Sequence, residues 1–249
     1  MEYLLFALTG LVAGVASGFF GIGGGLIVVP LCVALGEGVK SAIALSTMQM
    51  TFSSILGSYI NSKKQLFNPL DYLPLGFGGV LGAACGAYLL TIVSAHIAAL
   101  FFLAMLIVGL WRMWGTKAEG KDDAKTPNGI LLFAAGLLVG TYAGMVGVGG
   151  GFLLVAILTG FMGAAIKNAV AIGLYFVLFV GTSAFITYAL MGYVDFTKGA
   201  FLSIGSLLGV QLGISWASKV SPKYHKKAVI GVYILMIILM IYKIAKGEI

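Results

Sequence analysis

The 249-residue chain is 60% hydrophobic and only 9% charged, with a mean hydropathy of +1.08. Soluble domains carry about a quarter charged residues, so a soluble globule is excluded. The formal charge of +7, from 15 basic and 8 acidic residues, falls between apolar runs, where it reads as a topology signal and not as a nucleic-acid face.

The first apolar run, Tyr3 to Phe20, begins without a basic region or a small-residue cleavage site, so it reads as a membrane segment and not as a removable leader. It ends in Ser17-Gly-Phe-Phe-Gly-Ile-Gly-Gly-Gly25, and a short run, Gly25 to Leu35, follows. Ala42 to Ile60, Tyr72 to Ile92 and Ile97 to Met113 come next, then a polar stretch. The series repeats as Gly129 to Val146, Gly151 to Gly163, Asn168 to Leu190, Phe196 to Ser218 and Ala228 to Ile244, with a second glycine run at Ala143-Gly-Met-Val-Gly-Val-Gly-Gly-Gly151. Most runs reach the roughly 20 residues that a spanning helix needs. The two that follow the glycines do not.

The repeat is literal. Gly10, Gly14, Gly18, Gly21, Gly23, Gly24 and Gly25 recur as glycine at an offset of 126. After one insertion an offset of 127 pairs Lys40 with Lys167, Gly78 with Gly205, Gly82 with Gly209 and Gly86 with Gly213. This predicts an all-α, polytopic membrane protein of two repeats, residues 1–114 and 129–249, joined by a linker at 115–128. If the chain reverses at each glycine run, each half has five segments and the halves are inverted. One face then collects eleven basic residues (Lys63, Lys64, Arg112, Lys117, Lys121, Lys125, Lys167, Lys219, Lys223, Lys226, Lys227) against four (Lys40, Lys198, Lys243, Lys246). Without reversals the division is nine against six, so the inverted arrangement is preferred. Each half then has a glycine-broken first helix with a re-entrant half-helix, plus three long helices. Both termini are expected outside and the linker in the cytoplasm.

A glycine run opening a helix bares several backbone N–H groups at a positive helix end, which is a cradle for an anion. Gly21, Gly23, Gly24 and Gly25 form one such cradle, and Gly147, Gly149, Gly150 and Gly151 the other. Irregular backbone at membrane depth is tolerated only where protein or a cavity surrounds it. The glycines at four-residue spacing (Gly10, Gly14, Gly78, Gly82, Gly86 and their copies) read instead as helix packing. A dinucleotide loop would need a preceding strand and an acidic residue about 20 positions on, and neither copy has them.

The long helices after the cradles carry neutral polar groups able to donate to an oxyanion. Ser46, Gln49 and Ser53 share one face of the first, and Tyr175 and Thr182 lie on the second; helix-to-helix hydrogen bonding is the alternative use of each. Lys40 and Lys167, near the starts of those helices, would stand one at each mouth. Cys32 and Cys85 read as buried thiols. Asp71 and Asp195 fall at segment edges, and His96 and His225 near loops, so the spans offer no acidic or histidine cluster for a metal-cation pump. No metal site, cofactor or enzyme motif is expected. The partners expected are a small anion and the lipid bilayer; a coupling ion and the oligomeric state are left open.

AGVASGFFGIGGGLIVVPL near the start and AGMVGVGGGFLLVAIL after the linker resemble the doubled motif of the TauE/SafE family, the sulfite exporters. The resemblance covers essentially the whole chain. It implies a multi-pass plasma-membrane protein that moves sulfur-containing anions such as sulfite, thiosulfate, sulfonates or sulfoacetate. Pro30 follows the first motif as in the family, but its counterpart is Ala156, so the second half-helix is expected to end differently. From the residues alone, a gated anion channel or a non-transporting assembly protein remain the competing readings.

Overall fold

The computed structural model describes residues 2–89 and 128–246, together with 103, 104, 107, 110, 111 and 114. Apart from those six positions, the expected span Ile97 to Met113 and the linker up to residue 127 lie outside the described residues. Among the described residues there are nine α-helices and no strand. They are α1 (Glu2–Phe20), α2 (Gly25–Ala34), α3 (Val39–Lys63), α4 (Leu73–Leu89, led in by a 3-10 turn at Pro69–Tyr72), α5 (Gly129–Val146), α6 (Gly151–Gly160), α7 (Ile166–Leu190), α8 (Phe196–Lys219) and α9 (Pro222–Lys246). Side chains set several starts. Asn128 Oδ1 accepts from the Ile130 N–H, and Asp195 Oδ1 accepts from the N–H groups of Thr197 and Lys198, each supplying a partner that the first helical turn lacks.

The four-residue glycine spacing is a zipper that crosses between the halves. A Cβ on Gly10, Gly14 or Gly18 of α1 would overlap the carbonyl oxygens of Leu202, Ser206 and Val210 on α8 in turn. Gly78, Gly82 and Gly86 of α4 meet Phe133, Leu137 and Thr141 of α5 in the same way. Residue numbers rise together in both pairs, so each pair is parallel. Such close backbone contact gains dispersion between helices where lipid gives no hydrophobic drive.

Between the zippers lie α3 and α7, which are counterparts in the two halves. Gly181 stands against Thr51, its Cβ position 3.3 Å from the Thr51 nitrogen, while Gly57 stands against Leu174. Numbers rise on one as they fall on the other, so the counterpart helices are antiparallel and the halves are inverted.

Among the described residues, five helices are long and apolar enough to cross a membrane: α1, α4 with its lead-in, α5, α7 and α8. The 25-residue α3 is not among them, because it carries Ser46, Thr47, Gln49, Ser53 and Ser54, each 0% exposed. Protein surrounds those polar side chains while Phe52, Ile55 and Tyr59 form the exposed face of the helix, and this permits its polarity. Cys32 is buried as expected. Cys85 is exposed on the outer side of α4, away from its zipper, and corrects the reading of two buried thiols.

Candidate functional site

At each glycine run the chain doubles back. Gly21 and Gly147 adopt φ of 71° and 68° and their N–H groups close the preceding helices on the carbonyls of Ser17 and Ala143. Three residues on, the Cβ position of Gly24 lies 3.0 Å from the Ala13 carbonyl oxygen, and that of Gly150 lies 3.2 Å from the Val139 carbonyl oxygen. From Glu2 to Ala13, α1 advances about 16 Å, and the ten residues of α2 return about 15 Å at 1.5 Å per residue. The end of α2 is therefore level with the start of α1. Lys198 Nζ confirms the closure, sitting 3.1 Å from Glu2 Oε1 and 2.6 Å from Glu37 Oε1. Both re-entrant helices, α2 and α6, run for ten residues. Pro30 thus leaves α2 no shorter than α6, but the endings differ: the Leu35 N–H is shared by the Leu31 and Cys32 carbonyls, whereas the Phe161 N–H bonds to the Ile157 carbonyl alone.

The two runs cross at one place and in opposite directions. A Cβ on Gly25 would meet the Gly147 carbonyl oxygen, and a Cβ on Gly151 would meet that of Gly21. Gly23 and Gly149 flank the same two side chains: Met50 Sδ lies 3.0 and 2.8 Å from their Cβ positions, and Val177 Cγ1 2.9 and 3.3 Å. Met50 and Val177 are counterparts at offset 127, so they mark the pseudo-twofold axis and fill the space between the runs. Among the described residues, no backbone acceptor takes the N–H groups of Gly23, Gly24, Gly149 or Gly150, and neither re-entrant helix has a side-chain cap. Unclaimed donors beside a helix N-terminus are groups that can bind an anion. Gly21 and Gly147 do not share that role, because their N–H groups are already used.

The polar groups on α3 divide in function. Ser46 Oγ donates to the Gly147 carbonyl at 2.8 Å and tethers α3 to the second run. Gln49 Nε2 donates to Ser206 Oγ on α8 and, at 3.2 Å, to Ser53 Oγ, while Ser53 Oγ donates to the Met50 carbonyl at 3.2 Å. Gln49 Oε1 is 3.0 Å from the Cβ position of Gly24 and has no partner. At the symmetry-related place stand Phe176, Gly79 and Val180, and a Cβ on Gly79 would lie 2.6 Å from Phe176 Cε2. The same scaffold therefore packs with apolar side chains. In this half the cluster instead leaves one polar atom, Gln49 Oε1, unpartnered beside the first glycine run.

Tyr175 and Thr182 are not brought to the crossing. Tyr175 packs between the rings of Phe67 and Phe179, both at 5.1 Å, and Thr182 Oγ1 donates to the Leu178 carbonyl of its own helix at 2.6 Å. The antiparallel placement of α3 and α7 puts Lys40 and Lys167 at opposite ends. Lys40 Nζ lies 5.5 Å from the Tyr193 ring centroid, at the end that holds the Glu2–Lys198–Glu37 cluster. Lys167 Nζ donates to the Ser218 carbonyl at 3.1 Å and lines a cavity of about 180 Å³ with Lys64, Asn61, Val170 and His225. The floor of this cavity approaches the first glycine run, since the Val170 carbonyl oxygen lies 2.6 Å from the Cβ position of Gly21.

Three contributors, Met50, Val177 and His225, do not stand out in the sequence. Met50 and Val177 were legible only as a 127-offset pair in the middle of the long helices. His225, expected near a loop, is 0% exposed in the first turn of α9; Nε2 is 2.7 Å from the Phe19 carbonyl oxygen.

The sequence profile of the sulfite exporter TauE/SafE family matches residues 6–240. A probable membrane transporter protein of Methanocaldococcus jannaschii is 24% identical over 94% of this chain and 95% of its own length. One from Bacillus subtilis is 22% identical over 96% of each chain, and one from a Sinorhizobium species is 26% identical over 87% of this chain and 84% of its own. No solved structure matches. With a polytopic helical fold, inverted halves and a doubled glycine break at its centre, the chain belongs to the sulfite exporter TauE/SafE family of membrane transporters.

Proposed function

We propose that the protein carries small sulfur-containing anions, of the sulfite, thiosulfate, sulfonate or sulfoacetate class, across the plasma membrane by alternating access. The observation that carries this reading is the antiparallel crossing of the two glycine runs, which gathers unclaimed N–H donors from both halves beside the Gln49 cluster. Backbone donors and neutral hydroxyls desolvate an oxyanion without locking it in an ion pair, so it can leave again. Such a site resembles the half-helix sites of other inverted-repeat carriers.

Met50 and Val177 fill the crossing. An occupying anion must move them, which supports a carrier over an open pore. The basic end of α3, α7 and α9 is assigned to the cytoplasm and the Glu2–Lys198–Glu37 end to the outside, following the charge asymmetry. Both termini are then external and the linker is cytoplasmic.

The test is flux of radiolabelled sulfite or thiosulfate into liposomes. Gly24→Leu and Gly150→Leu place a branched side chain at left-handed backbone, φ 84° and 63°, in contact with Gln49 and Val139 respectively. Each variant is expected to reach the membrane and to lose saturable uptake. Unchanged uptake in both would overturn the site. Ionic currents without saturation would replace the carrier with a channel.

A further inference from the structure

We propose that the basic cavity among α1, α3, α7, α8 and α9 is a second anion site, and that an oxyanion entering it brings a proton onto Nδ1 of His225. This rests on the reading that the cargo is an anion, and it adds the coupling ion that the crossing itself does not identify.

The cavity, about 180 Å³, is lined by Gly18, Asn61, Lys64, Lys167, Ser218 and His225 among others. Asn61 is 3% exposed and His225 0%. The short contact of His225 Nε2 with the Phe19 carbonyl, at 2.7 Å, requires the ring proton on Nε2, because a carbonyl oxygen only accepts. Nδ1 then holds a bare lone pair, and it has no hydrogen-bond partner. A buried acceptor without a donor costs free energy, and it is the atom to which a proton can add without breaking the Phe19 bond.

Among the described residues, the charged groups that line the cavity, Lys64 and Lys167, are both positive. The end of α3 supplies Lys64 and α7 supplies Lys167; α8 lines the cavity with Ser218 and ends in Lys219 beyond the lining, and α1 supplies Gly18 and the Phe19 carbonyl. Lys223, Lys226 and Lys227 flank His225 on α9. Among the described residues, no carboxylate lines the cavity. Burial therefore holds the imidazole below its ordinary range; the Phe19 carbonyl pulls it up, and Lys167 pushes it further down.

An anion reverses that balance. It screens Lys64 and Lys167, and the Nδ1–H formed by proton uptake from water donates to the anion oxygen. Atoms and charge balance simply: one proton leaves solvent for the Nδ1 lone pair, and the imidazolium offsets one negative charge of the ligand. Release of the anion returns the proton. Because the two bind together, flux of the anion carries the proton with it.

The experiment is calorimetric titration of sodium thiosulfate, with sodium sulfate in parallel, into the purified full-length protein. Paired buffers of different ionisation enthalpy count the protons taken up. The wild type is expected to bind with net proton uptake approaching one per anion. Affinity should rise by up to about tenfold per unit fall in pH across the histidine transition. His225→Gln keeps a donor for the Phe19 carbonyl but cannot titrate there; it should bind with no proton uptake and a flat pH profile. Lys167→Met provides a second readout: binding should weaken several-fold, and the histidine transition should move to higher pH because a facing positive charge is gone. Gly150→Leu should lose transport yet keep proton-linked binding, which separates this site from the crossing. Equal proton uptake in wild type and His225→Gln, absence of binding in the wild type, or loss of the proton-linked signal in Gly150→Leu would each overturn the proposal.

Discussion

Replacing Gln49 and Ser206 together by Leu and Ala separates a structural role for the buried cluster from a transport role. The wild-type arrangement has the Gln49–Ser206 and Gln49–Ser53 hydrogen bonds, each contributing about 0.5–1.5 kcal/mol net. It also leaves Gln49 Oε1 without a partner, which costs about 1–3 kcal/mol. The double variant removes the bonds and the orphan acceptor at once, and Ser53 keeps its bond to the Met50 carbonyl. The terms cancel to within about 1 kcal/mol. At roughly 2–4 °C per kcal/mol for a chain of this size, the melting temperature in detergent should stay within about 4 °C of wild type. The Phe176–Gly79–Val180 counterpart supports the same expectation, since it packs without any polar group. Liposome uptake of sulfite or thiosulfate should nevertheless fall by at least tenfold. Normal uptake would refute the assignment of Gln49 to the anion path, and a melting loss far beyond 4 °C would make the cluster a structural one.

Gly14→Ala puts a methyl group into the backbone of Ser206 on α8 and should cost about 1–3 kcal/mol as overpacking, seen as a lower melting temperature. Gly231→Ala in α9 meets nothing within 4 Å and should gain up to about 1 kcal/mol from helix propensity. The Glu37 carboxyl is held below its ordinary range, first by the hydrogen bond from Lys198, against burial and with help from the Ser41 hydroxyl. Its contribution is therefore complete above the ordinary carboxylate pKa of about 4.3 and is lost as pH falls through the lower folded value. A melting curve against pH should drop below about pH 4.5, and less steeply in Lys198→Met.

The glycine offsets were legible because glycine serves two demands that sequence displays directly. Consecutive glycines permit left-handed backbone, as at Gly23 and Gly24, and spaced ones permit backbone contact, as at Gly10 and Gly14. Spacing does not name a partner, however, so the pairing of α1 with α8 and of α4 with α5 came only from the structure. The inverted arrangement was visible in the lysine asymmetry and is explained by the antiparallel α3 and α7. Ser46, Gln49 and Ser53 were found as a polar face, but sequence could not divide the tether of Ser46 from the cluster of Gln49. The copies at offset 127 do not make that division either, since Ser46, Gln49 and Ser53 correspond to Gly173, Phe176 and Val180 alike. Tyr175 was singled out by its polar atom, whereas its ring is engaged with Phe67 and Phe179. One histidine beside lysines near a helix start reads as solvated, and only the fold of α9 against Phe19 buries His225.

The anion's position is the most direct test. Crystals of the protein soaked with selenite, an anomalous scatterer that mimics sulfite, should show a selenium peak between the two glycine runs, within hydrogen-bonding reach of the Gly23, Gly24, Gly149 and Gly150 nitrogens and with Met50 displaced. Selenium confined to the Lys64–Lys167–His225 cavity, with none at the crossing under saturating selenite, would contradict the account.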